Sequence, residues 1–417
     1  MDFKGKQKRL PLPVLFLSLI IIFGLCFIVD TEQVHAAGKT VSFKGRKIAE
    51  YNEKGEIVYI PYTSTKSYRG STPSNVNYNA LNSLVKGNEK KTIVIPKGSK
   101  FTINGVLTPG NNTTIIATGA TITGKKKSNL VTCSPKQNLK NLTIKGGTWK
   151  SPDKGGRVGG GIFAFSFVNG LKIEGVTCSA NYHGHAIEII ACKNVTIQNN
   201  KITAIGKCPK NPKTCLEAQL QIDIATKQTA PKVAEHGKKY VKGQTCENVK
   251  ILNNTVTGAR AVELNWTASE GGKYKNKFHK NIIIKGNKIT GTSSEAVAFF
   301  NVIGGEISNN TIKTKSTRKQ ANGSYTIGVH VAAMGKHKSL AKSKLIIKNN
   351  TIYGNRNGIH FKGLFNKNET KCLQKLGKIT VSGNKVYCKK GKDQAIVQVK
   401  KSCSKLTQSK NKTYKWK

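Results

Sequence analysis

The chain has 417 residues, with 70 Lys and Arg against 20 Asp and Glu and a formal net charge of +50. Its length permits two or three domains and a large core, so its ten cysteines are not a scaffold the fold requires, and they show neither CxxC pairs nor Cys/His metal spacing. A positive charge of this size attracts polyanions at long range and in a salt-dependent way.

The N-terminus reads as a targeting segment. Lys4, Lys6, Lys8 and Arg9 precede an apolar run from Leu10 to Val29, and Val34-His35-Ala36 comes next as a small-residue cleavage pattern. Residues 1–36 are expected to be a signal peptide. The product would be secreted or cell-surface, with no membrane insertion after cleavage. Its partner would be acidic polysaccharide or another polyanion, with no specific nucleic acid, and it would be a monomer. Cys26 leaves with the segment, so an odd number of cysteines remains. Cys208 and Cys215 would be close enough to shut a small loop.

Residues 37–90 form an N-terminal segment in which Tyr78 to Val85 reads as a short amphipathic helix, a polar-faced cap for the first coil of a repeat. That repeat occupies residues 91 to 417. Its nine-residue unit is apolar at alternate positions, then carries an Asn/Gly pair, then an apolar residue. Copies begin at Asn141, Gly170, Asn194, Asn248, Asn281, Gly304, Lys344 and Lys378. Alternation predicts a strand. The Asn/Gly pair predicts a tight bend of residues that tolerate positive φ. The starts lie 23 to 54 residues apart, as coils of a solenoid do when insertions fall in loops. Asn200, Asn254, Asn287, Asn310, Asn350 and Asn384 share one position and are expected to stack as an amide ladder. Cys178 falls at an inward position.

This pattern resembles the right-handed parallel β-helix proteins of the pectate lyase and polygalacturonase type, over roughly residues 90–400. The resemblance implies an all-β, single-stranded right-handed parallel β-helix with a short N-terminal capping helix and long loop insertions. It carries no activity with it. The Asn-Thr-Asp, Asp-Asp and Arg-Ile-Lys motifs of polygalacturonases are missing. So are the Arg-x-Pro of pectate lyases and the Asp-Pro-His-Glu of mannuronan epimerases.

The strand after each ladder position supplies the candidate site. Aligned on apolar residues, its outward column reads Glu188, Asp223, Glu263, Ala298, His330 and His360. The neighbouring column reads Ala186, Gln221, Ala261, Ala296, Gly328 and Gly358, a small-residue floor. Acidic residues are scarce in this chain, and like charges on adjacent strands repel. Three compensations are open. A Ca²⁺ ion would bind Glu188, Asp223 and Glu263 through oxygen. The carboxylates would divide acid and base roles in cleaving a glycosidic bond, with His185 assisting. Or Lys and Arg would simply neutralise them. Gln221, Arg260, Asn265, His330, His360 and Lys362 are expected to contact substrate, Arg260 by its planar fork on a uronate carboxylate, unless it simply pairs with Asp223. Trp266, Tyr274 and Phe300 are candidates for stacking on sugar, and His183 flanks the site beside His185.

Two functions are compatible with this site. One is an enzyme, lyase or glycoside hydrolase, acting on acidic polysaccharide in a groove on the helix face. The other is a non-catalytic, Lys-rich surface or matrix protein that binds polyanions.

Overall fold

The computed structural model describes residues 37–125, 128–152, 161–181, 184–205, 217–265, 274–317 and 326–416. The expected signal peptide, the Cys208–Cys215 loop, His183 and Trp266 lie outside them.

Three long sheets, of fourteen, eleven and nine strands, carry the chain. One coil gives one strand to each: Lys193–Gln198, then Lys201–Ile205, then Ala218–Asp223. The next coil gives Glu247–Leu252, Thr255–Gly258 and Arg260–Leu264, each parallel to its predecessor. This is the expected parallel β-helix. Crossovers between parallel strands of one sheet wind right-handed.

The core is built of like residues stacked coil upon coil. Ile144, Ile173, Ile197, Ile251, Ile284, Ile307, Ile347 and Val381 pair in one line along the fourteen-stranded sheet, and all are buried. β-Branched side chains fit a pleated surface, and each one buried contributes about 1.5–3 kcal/mol. Cys178 lies in the equivalent stack of the eleven-stranded sheet, between Trp149 and Ile202. The cysteines among the described residues are free thiols.

The Asn/Gly pairs form the bends. The first member takes positive φ, as at Asn199 (57°), Asn253 (54°) and Gly286 (72°). The second forms the ladder. Asn254 Nδ2 donates to Asn287 Oδ1 at 3.0 Å, and Asn287 Nδ2 donates to Asn310 Oδ1 at 3.0 Å. Backbone N–H groups of Asn254 and Asn287 donate to the same oxygens at 2.8 Å. A second, exposed ladder, at the start of the repeat, links Asn194 to Asn169, Asn248 to Asn194 and Asn281 to Asn248.

The capping helix, Pro73–Val85, starts earlier than its apolar pattern suggested, because Pro73 sits at the first turn, where no N–H bond is lost. It buries Val76, Ala80, Leu81, Leu84 and Val85 over the first coil. Upstream, Thr40–Phe43, Arg46–Tyr51 and Ile57–Tyr59 pair antiparallel in order, and Ile57–Tyr59 then pairs parallel with Lys91–Val94. These strands extend the same fourteen-stranded sheet. No helix among the described residues is long and apolar enough to cross a membrane.

Candidate functional site

The nine-stranded sheet carries the charged face. Pairing there gives an outward column Ala164, Glu188, Gln221, Glu263, Ala298, His330, His360. The expected column is corrected at one coil: Gln221, not Asp223, stands between Glu188 and Glu263. Asp223 pairs with Ile190, two residues farther along. The expected floor column shifts with it, since Gln221 leaves that strip. Shifting a strand by two residues keeps every side chain on its face, so the apolar pattern does not distinguish the two alignments.

Glu188 and Glu263 are thus two strand spacings apart, about 10 Å, with the Gln221 amide between them. Gln221 Nε2 donates to Asp223 Oδ1 at 2.9 Å. Asp223, Gln221 and Glu263 are buried, whereas Glu188 and His185 are half-buried. Among the described residues no three His, Cys, Asp or Glu side chains are arranged to hold a metal ion. The register shift moves Asp223 aside, and Glu263 is engaged by an arginine.

That arginine, Arg260, belongs to a polar row at the start of these strands. Nη1 of Arg260 donates to Glu263 Oε1, and Nε donates to Glu295 Oε2 at 3.1 Å. Glu295 also accepts from Ser294 Oγ, and its Oε1 lies 3.5 Å from His330 Nδ1. Burial pushes Glu295 upward, but Arg260 and His330 outweigh it and hold the carboxyl at about 2. At Glu263 burial wins over the same guanidinium, and the carboxyl is raised. Arg260 lowers both carboxyls but outweighs burial only at Glu295, where His330 and Ser294 assist it. Arg260 is therefore committed to protein partners, contrary to its expected role on a uronate.

His185 opens the row. Its Nδ1 lies 2.5 Å from the Ala218 carbonyl oxygen, so Nδ1 carries the hydrogen and Nε2 is left for proton exchange. Burial lowers its pKa, but Glu188, Glu217 and the Ala218 carbonyl more than reverse this, and the imidazole is raised. Glu188 is raised by burial, with His185 opposing. Asp223 is raised by burial and then by the Glu188 charge, to about 8.

Glu295 was not singled out in the sequence. A signal for it existed: His185-Ala186-Ile187, Arg260-Ala261-Val262 and Glu295-Ala296-Val297 each place a charged residue before Ala and an aliphatic. The remaining expected residues divide. His330 and His360 stand side by side, ring centroids 5.1 Å apart, and His330 Nε2 and His360 Nδ1 are buried without hydrogen-bond partners. Burial, then His330 and Lys362, lower His360 to about 3, so it is neutral. Asn265 turns the corner after its strand at φ 64° and donates to the Lys277 carbonyl, which makes it a loop anchor. Lys362 is held by Glu369 at 2.7 Å. Phe300 is buried edge-on against His330 and so is not presented to solvent as a stacking platform, whereas Tyr274 is half-buried and donates to the Val241 carbonyl.

No family model matches the chain. A stretch of 97 residues is 33% identical to plasmin and fibronectin-binding protein A of Streptococcus pneumoniae (strain ATCC BAA-255 / R6), spanning 22% of this chain and 13% of that protein. Among solved structures, PfbA, a surface adhesin of Streptococcus pneumoniae, is 14% identical with a TM-score of 0.47, over 82% of this chain and 88% of that one. An alginate lyase from Paenibacillus sp. str. FPU-7 is also 14% identical, with a TM-score of 0.46, over 81% and 97%. The chain is a right-handed parallel β-helix protein. In this β-helix the buried carboxyls Asp223 and Glu263 stand on strands of the nine-stranded sheet, with Glu295 just ahead of its next strand.

Proposed function

We propose that this is an exported, secreted or cell-surface protein that binds an acidic polysaccharide along the nine-stranded sheet and cleaves it by acid–base chemistry. The observation that carries the reading is the grouping of Glu188, Asp223 and Glu263 around Gln221, with His185 beside them. Asp223, raised to about 8, holds its proton at neutral pH, as a general acid must. Glu188, beside a raised His185, is the base partner. Glu263 and Glu295, tied by Arg260, position the floor. Gln221 Oε1, His330 Nε2 and His360 Nδ1, all buried and unpaired, are the groups a sugar hydroxyl would satisfy. The net charge of +50 concentrates the polyanion at the surface.

Two carboxyls on one face, one of them raised to about 8, favour the glycoside hydrolase form. Product analysis separates it from a lyase. Hydrolysis releases only reducing ends, whereas elimination also leaves conjugated, ultraviolet-absorbing uronate ends. Asp223→Asn is expected to lower turnover by about 10²–10⁴-fold, with binding of the polymer retained. Wild-type activity should decline as pH rises through about 8, because the acid is then ionised.

A second reading is favoured by the 97 residues shared with a plasmin- and fibronectin-binding protein and by the lysine coat. In it the chain is a surface protein that binds polyanions or host proteins without cutting. Wild-type protein that leaves pectate, alginate and glycosaminoglycans intact, yet binds them in a salt-sensitive way, would replace the first reading with this one.

A further inference from the structure

The N-terminal end of the β-helix holds a cavity that the charged floor does not touch. It is lined by Phe43, Lys44, Arg46, Tyr68 and Arg69, is floored by the capping helix at Val76 and Asn79, and has a volume of about 70 Å³. It lies at the opposite end of the fourteen-stranded sheet from the last coils.

Two tight turns build it. Lys44-Gly45 joins the first two strands with φ of 52° and 75°, and Arg69-Gly70 repeats the geometry with 47° and 75° between the bridged residues Tyr68 and Ser71. Consecutive left-handed residues make a reversal that needs no long loop. The Arg69 guanidinium then lies over Gly45, where a Cβ would meet its Nη2 at 3.0 Å. The φ of 75° at Gly45 favours glycine there, and a side chain would also crowd that guanidinium.

The cations are oriented by aromatic rings. The Arg46 guanidinium carbon is 5.2 Å from the Tyr62 ring centroid, and that of Arg69 is 5.7 Å from Tyr68. Arg46 Nη2 donates to the Ile60 carbonyl at 2.6 Å. The same guanidinium lies beside the Tyr59 hydroxyl, whose pKa it draws down against the larger effect of burial. Its Nη1 is buried with no hydrogen-bond acceptor. No carboxylate lines the cavity. Lys44, Arg46 and Arg69 therefore face one small space with no acidic side chain on its walls, and a buried donor is left to satisfy.

We propose that this cavity binds an oxyanion group of an acidic glycan, a sulfate or a carboxylate, with the sugar ring against Phe43 and Tyr68. Guanidinium groups present paired donors that match planar or tetrahedral oxyanions, and the aromatic walls favour an anion carried on a ring over a free ion. The site needs no cleavage on the floor, and so stands apart from the acid–base reading.

The test is calorimetric titration of the full chain with a sulfated oligosaccharide, an oligogalacturonate, a neutral oligosaccharide of equal length and inorganic sulfate. At least one charged oligosaccharide should bind more tightly than inorganic sulfate, and the neutral one should not bind. The better ligand tells sulfate from carboxylate. Lys44→Gln with Arg69→Gln, both exposed side chains, should weaken the charged ligand about tenfold or more. The control pair Lys250→Gln with Lys405→Gln, also exposed, removes equal charge elsewhere and should change affinity about twofold or less. An Asp223→Asn protein should bind as wild type does. Equal losses in the two pairs, or glycans no tighter than sulfate, would overturn the proposal. Arg46→Lys, which keeps the charge but loses the fork, should still weaken binding; if it does not, the guanidinium is not a ligand.

Discussion

Replacing Arg260 with methionine is expected to destabilise the β-helix by about 3–5 kcal/mol at neutral pH, because it leaves two buried carboxylates without their cation. Glu263 and Glu295 are 2% and 1% exposed, and Arg260 touches both. The triple replacement Arg260→Met, Glu263→Gln, Glu295→Gln should recover most of the loss, since no uncompensated charge remains. Urea midpoints at several pH values check this. The pH dependence has a definite sign. In the wild type Glu295 is depressed from 4.5 to about 2, so its contribution is complete above 4.5 and fades as pH falls towards 2. In the Arg260→Met protein the same carboxyl is buried without its guanidinium, so acid relieves it. The gap between wild type and variant should therefore narrow on acidification. A gap that widens would mean that the cation is not what keeps Glu295 ionised.

The second large effect is expected at Asn287, in the middle of the inner ladder. Its Oδ1 accepts from the Asn254 backbone N–H at 2.8 Å and from Asn254 Nδ2 at 3.0 Å. Its Nδ2 donates to the Ile251 carbonyl at 2.9 Å and to Asn310 Oδ1 at 3.0 Å. Asn254 Nδ2 keeps the Ile197 carbonyl and Asn310 Oδ1 keeps the backbone N–H of residue 287, so Asn287→Ala strands the Asn254 N–H and the Ile251 carbonyl, at about 1–3 kcal/mol for each, or roughly 2–6 kcal/mol in all. Asn281→Gly, in the exposed ladder, keeps the positive φ of 52° and should cost under about 1 kcal/mol, because water replaces the lost bond. Comparing the two midpoints isolates burial as the cause. Similar losses at both positions would contradict that account.

The two substitutions also mark how far the sequence could be read. The inner ladder was legible, because Asn200, Asn254, Asn287, Asn310, Asn350 and Asn384 recur at one place in a repeated unit, and a repeat can only stack like on like. The same logic located the core, including Cys178. It located the charged face too, because apolar neighbours on both sides fix the side to which Glu188 and Glu263 point. What it did not provide was the company these residues keep. Arg260 looked available to a substrate until Glu295, 35 residues farther along the chain, appeared beside it from the next coil. Asn265 looked like a ligand-binding amide until its corner φ and its bond to the Lys277 carbonyl were seen.

Asp223 shows where the division falls. Alternation in Ala-Gln-Leu-Gln-Ile-Asp determines, from sequence alone, that Gln219, Gln221 and Asp223 share the outer face. Which of them stands beside Glu188 is a matter of sliding the strand by two residues, and a two-residue slide preserves every inward and outward assignment. That choice belongs to the stacked coils, where Leu220 meets Ile187 and Ile222 meets Ile189. The periodicity of one strand is a local property and is written in the chain. The register between strands depends on the length of the loop before them and on the neighbours they meet. Only the tertiary structure decided it, and with it the protonation and partners of the site.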